Sequence, residues 1–125
     1  VGTGVVHSET NASESEPVHL MQIWIEPSAE DFAPNYQQVG ISPEQKRGRL
    51  CLLAAPPGSD GNPATTINQN ARVYVADIAP HDGVHHPLGD GRHAWVQVMR
   101  GQARVNGHLL HEGDGAAFSG ERMVS

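Results

Sequence analysis

At 125 residues the chain is one domain of ordinary size, and its 14 Gly and 9 Pro shorten every regular element and exclude a long-helix bundle or coiled coil. A net charge of −6 with only 8 Lys and Arg leaves no basic stripe for a phosphate backbone, which argues against direct nucleic-acid binding. No apolar run approaches the roughly 18 to 20 residues of a membrane span, and the opening residues lack the regions of a secretion signal, so the expectation is a cytoplasmic protein without membrane contact.

In chain order, residues 18–25 combine Val18, Ile23, Trp24 and Ile25 and are closed by Glu26-Pro27. This run reads as the strongest strand, with both faces covered. Residues 28–40 carry Phe32, Tyr36 and Val39 without a steady period and predict a loop lying over the body of the domain. Ser42-Pro43-Glu44-Gln45 supplies an N-cap, a proline at the first helical position and a glutamine at N3, which predicts a single helical turn. Residues 49–54 form the next predicted strand, and Pro56-Pro57-Gly58-Ser59-Asp60-Gly61 predicts a hairpin-like reversal after it. Strands follow at 64–68, 72–78 and 93–99, then at 102–105 and 108–110 around Asn106-Gly107. That dipeptide signals a type I′ turn, with positive φ at both central positions. A last strand is read at 116–118, and Met123-Val124-Ser125 reads as the start of a further apolar segment. Short strands separated by turn chemistry predict an all-β fold, an antiparallel jelly-roll β-barrel with at most one or two helical turns.

Eight histidines are the compositional oddity, since imidazole is a frequent metal ligand. In His7-Ser8-Glu9 the imidazole and carboxylate are two residues apart, so on extended backbone both point to one side and can reach one ion. By spacing alone the signal is weak, and a solvated surface pair is the favoured reading. His81, His85, His86 and His93 cluster around glycine turns and read as solvated, as do His108 and His111 beside the hairpin. His19 reads as hydrogen-bonded and partly buried, and the single Cys51 as a small buried hydrophobe.

Taken together, His7-Ser8-Glu9, Glu16-Pro17 through Glu26-Pro27, Pro34-Asn35-Tyr36, Ala55-Pro56-Pro57-Gly58, Gly91-Arg92-His93-Ala94-Trp95-Val96-Gln97-Val98, Arg100-Gly101, Val105-Asn106-Gly107 and Gly113-Asp114-Gly115-Ala116 resemble the pirin family of bicupins, in particular its bacterial quercetinase-like members. The resemblance covers nearly the whole chain. It implies two cupin barrels in the intact protein, with one divalent metal in the N-terminal barrel held by three histidines and a glutamate. Iron is the expected ion, with copper, nickel or zinc as alternatives. His7 and Glu9 fall on the last two of those ligands, and the H-x-H pair that supplies the first two has no counterpart in this sequence. Residues 1–17 then correspond to the tail of the N-terminal cupin and a linker, and residues 18–125 to a C-terminal cupin incomplete at its own C-terminus.

Aligned on Gly101, the general cupin motif puts Leu88 and Asp90 at its histidine positions and Ala94 at its glutamate position; aligned on Gly113, the later element puts His111 at its proline and Ala116 at its histidine. The resemblance therefore implies a metal-free second barrel. For the intact relative it implies oxidative opening of a flavonol-type substrate. The chain alone is expected to bind metal poorly and to lack turnover. A non-catalytic cupin module for structure or interaction, or a pirin-type regulatory protein, is the competing expectation, and open strand edges favour a homodimer or strand-swapped association.

Overall fold

A computed structural model describes residues 6–125, nearly all of its regular structure β with one four-residue helix. The chain forms two compact units, Val1–Asp77 and Ile78–Ser125.

In the first unit the single helix, α1 (Pro43–Lys46), begins where the sequence places it. The Ser42 amide donates to Gln45 Oε1 at 2.7 Å, so the N3 side chain satisfies a backbone group at the helix start. The turn ends at Gly48, whose φ of 64° suits a residue without a Cβ. Strand β1 (Cys51–Ala55) is central in a three-stranded sheet between β2 (Thr65–Thr66) and β3 (Val73–Val75). Against β3 it is antiparallel, with an irregularity between Leu52 and Ala54.

Against β2, however, β1 runs parallel, pairing Ala54 with Thr65 and Ala55 with Thr66. The turn residues of 56–61 therefore do not make the expected hairpin. Positive φ at Gly58, Gly61 and Asn62 turns the chain back to run beside β1 in the same direction. Ala64 N–H donates to Leu52 O at 3.2 Å, Thr65 Oγ1 to Leu53 O at 2.9 Å and Ile67 N–H to Ala55 O at 3.0 Å. Ala55, with no exposed surface, lies at the centre of this arrangement. The irregular 28–40 segment is tied to the same edge, because the Gln37 amide donates to Thr66 Oγ1 and accepts from Thr66 N–H, both at 2.8 Å.

The 18–25 run departs most from its sequence reading. It belongs to no strand of the described residues, and Val18, Ile23 and Trp24 are 58%, 57% and 79% exposed. His19, expected partly buried, is exposed as well.

In the second unit β4 (His86–Pro87) pairs with β9 (Met123–Val124), β5 (His93–Gln97) with β8 (Gly115–Ser119), and β6 (Gln102–Val105) with β7 (His108–His111), all antiparallel. Asn106 and Gly107 have φ of 44° and 86°, the positive values a type I′ hairpin requires. Val98, Val105, Leu110 and Phe118 form the buried cluster. On the β5–β8 pair, Ala94 and Val96 face the same side as Ala116 and Phe118 and pack with that cluster, whereas His93 and Trp95 are exposed on the other side. Among the described residues the ladders make one three-stranded and three two-stranded sheets.

Candidate metal centre

His7 and Glu9 lie in a stretch without regular secondary structure, and their side chains approach one another as the two-residue spacing allows. His7 Nδ1 and Glu9 Oε1 are 3.9 Å apart, with side chains 54% and 45% exposed. That separation is too long for a hydrogen bond, and at such exposure an ion pair with a protonated imidazole contributes at most about 1 kcal/mol. Two donors bound at about 2.1 Å to one ion stand roughly 3.0–3.4 Å apart, so the pair needs a small inward movement to share one. The sequence did not point to Gln22, whose Nε2 donates to Glu9 Oε2 at 3.5 Å. The contact spans 13 residues of irregular chain, and no local pattern signals it.

Imidazole and carboxylate are the right donor chemistry for iron or zinc, but two donors do not fill a four-donor sphere. Among the described residues no three His, Cys, Asp or Glu side chains come together as a further set. The residues present therefore do not fit a complete metal centre.

The remaining histidines are dispersed. His81 sits in a turn at φ 71°, His85 is exposed, and His86 is half-buried on β4 opposite Val124, a correction to its reading as a solvated turn residue. Pairing with β9 covers it. His93 Nδ1 lies 3.0 Å from Ser119 Oγ across the exposed side of β5–β8, while His108 and His111 are exposed on β7. Ala94 and Ala116, at the cupin motif's glutamate and histidine positions, are apolar contacts of the buried cluster. An open groove of about 540 Å³ in the first unit is lined by Ile41, Arg49, Cys51 and Leu52 among others, but the Arg49 guanidinium is directed at the Glu44 and Gln45 carbonyls.

Residues 52–125 match the quercetinase C-terminal cupin domain of the pirin proteins. The chain belongs to this family. It is 32% identical over 124 residues to a quercetin 2,3-dioxygenase of Escherichia coli K12, an alignment covering 99% of this chain and 52% of that protein. A pirin-like protein of Caulobacter vibrioides is 30% identical over 124 residues, with 99% and 53% covered. The crystal structure of YhhW from Escherichia coli superposes with a TM-score of 0.71 at 25% identity, covering 81% of this chain and 41% of that one. This pirin-family chain thus spans about half the length of the curated relatives it matches.

Proposed function

We propose that this chain is the C-terminal part of a pirin-type bicupin whose intact form is a cytoplasmic, metal-dependent dioxygenase acting on flavonol-type substrates. Residues 1–17 are then the tail of the N-terminal cupin and a linker, and 18–125 a jelly-roll cupin that holds no ion of its own. The observation that carries this reading is the apolar character of Ala94 and Ala116. They pack with the cluster of Val98, Val105, Leu110 and Phe118 where a metal-binding cupin carries donors. An alanine offers no lone pair, so chemistry at an ion depends on His7, Glu9 and donors from outside these 125 residues.

Anaerobic calorimetric titration of the 125-residue chain with ferrous iron, paired with an oxygen-uptake assay on quercetin, tests this directly. The expected result is no stoichiometric iron and no turnover. Weak residual binding that Glu9→Gln abolishes, and that fades on acidification, is also consistent, because a donor must be deprotonated to ligate. One iron per chain with sustained turnover overturns the proposal.

A second reading, a non-catalytic interaction module, is favoured by Trp95. This indole is 66% exposed and covers β8 at Gly115, where an added Cβ would collide with ring atom Cζ2. An exposed aromatic side chain on a sheet is a common element of protein contacts. Partner binding indifferent to iron and abolished by Trp95→Ala would favour this reading over the first.

A further inference from the structure

Asn106-Gly107 is the one Asn-Gly pair in the sequence; the other asparagines precede Ala12, Tyr36, Pro63, Gln69 and Ala71. An asparagine side-chain amide can be attacked by the backbone nitrogen of the next residue. A glycine leaves that nitrogen unhindered, whereas a side chain crowds it and a proline has no N–H to lose. Asn106 is half-buried and Gly107 exposed, so water reaches the pair. In the folded chain, however, the reaction is blocked twice. Attack needs Asn106 Cβ and Gly107 N eclipsed about the Cα–C bond, so that Cγ meets the nitrogen in a five-membered ring. Asn106, at φ 44°, is in the left-handed turn conformation, in which Cβ and the following nitrogen lie on nearly opposite sides of that bond. The side chain is also held: Nδ2 donates to Met123 O at 2.9 Å, Oδ1 accepts from Ser125 N–H at 2.8 Å, and the Asn106 N–H donates to Ser125 O at 2.9 Å. We propose that Asn106-Gly107 is a self-modification site kept closed by β9: release of residues 123–125 opens Asn106 to deamidation, and the product no longer takes β9 back.

The step uses only water. The Gly107 nitrogen gives its proton to water and forms a bond to Asn106 Cγ; the Cγ–Nδ2 bond breaks, and Nδ2 takes up a proton and leaves as ammonia. Water then opens the cyclic imide at either carbonyl, giving aspartate or isoaspartate. Overall one water enters and one ammonia leaves, and nothing is oxidised or reduced. Aspartate puts an acceptor-only carboxylate where an amide donated to Met123 O, which sets two oxygens against each other with no proton between them. Isoaspartate adds a methylene to the main chain inside the hairpin that pairs Val105 with His108 and Arg104 with Leu109, and Val105 belongs to the buried cluster. β9 meets β4 over two residues only, so losing the Asn106 bonds removes a large part of its hold. The modification therefore acts in one direction, fixing β9 in the released state.

Peptide mapping by liquid chromatography and mass spectrometry, which separates the asparagine, aspartate and isoaspartate forms, tests this on the 125-residue chain in neutral buffer. Conversion at Asn106 should run at least about tenfold slower in the folded chain than in the same chain unfolded in urea, because several hydrogen bonds must open first. Ser125→Pro removes the N–H that Oδ1 accepts and should speed conversion in the folded chain about threefold or more, whereas Ser125→Ala, which removes only the hydroxyl, should not. In chain converted under urea and refolded, the Leu88 amide, which donates to Arg122 O at 2.9 Å beside β9, should exchange about tenfold faster while β5 and β8 stay protected. Equal rates in the folded and unfolded chain, or no conversion in the unfolded chain, overturn the proposal. So does an unaltered rate in Ser125→Pro with protected β5–β8 amides, and so does Leu88 exchange that conversion leaves unchanged. If Ser125→Pro loses the β5–β8 protection, the Leu88 measurement decides alone.

Discussion

Asn106 does two jobs with one side chain. Its φ of 44° places it in the left-handed region that the hairpin requires. Its Nδ2 donates to Met123 O at 2.9 Å and its Oδ1 accepts from Ser125 N–H at 2.8 Å, while its own amide donates to Ser125 O at 2.9 Å. The residue chosen for the turn therefore also holds β9. Asn106→Gly keeps the favourable φ and loses only the side-chain clasp, which should cost about 1–2 kcal/mol. Asn106→Ala adds the strain of a Cβ at positive φ and should cost about 1 kcal/mol more. Urea unfolding measures both, and exchange at Val124 should quicken equally in the two variants if the clasp is what holds β9. Equal stability losses would show that the turn conformation contributes nothing.

At the scale of elements, α1 responds to acid in a direction its hydrogen bonds determine. The Glu44 carboxylate accepts from its own backbone N–H and from the Ser42 hydroxyl, which together hold it below its ordinary value of 4.5. A depressed folded value means that its contribution to the helical turn is complete above the unfolded value and lost as pH falls through the folded one. Chemical shifts of residues 43–46 should therefore change with a midpoint below 4.5, and Glu44→Gln should flatten that change. Elements of this local kind were legible in the sequence. α1 follows from Ser42-Pro43 and Gln45, and the β6–β7 hairpin from Asn106-Gly107, because each is determined by neighbours a few residues away. The parallel β2 and the two-residue β4–β9 pair were not, since their partners are chosen by chain path rather than by pattern. The 18–25 run had strand-like residues without a strand, as composition reports a need for cover and not where cover comes from. The candidate site divides in the same way: the approach of His7 and Glu9 to one another is a property of spacing, whereas Gln22 reaches Glu9 through tertiary approach alone.

At the scale of the molecule, net charge and exposed apolar area act against each other. The charge of −6 at pH 7 falls to zero near pH 5.7, and with it the repulsion that keeps copies apart. Trp24 at 79%, Trp95 at 66% and Ile23 at 57% exposure then supply surface that association would remove from water. Light scattering should therefore peak near pH 5.7 and be low at pH 8, where added salt should partly restore it by screening the remaining repulsion. Trp24→Gln leaves the charge unaltered and removes the most exposed indole, so it should lower the peak at least about twofold without moving its pH, given roughly 25 cal/mol per Å² of apolar surface. A peak of unchanged height in Trp24→Gln but reduced in Trp95→Gln would mean that copies meet through the β5–β8 face.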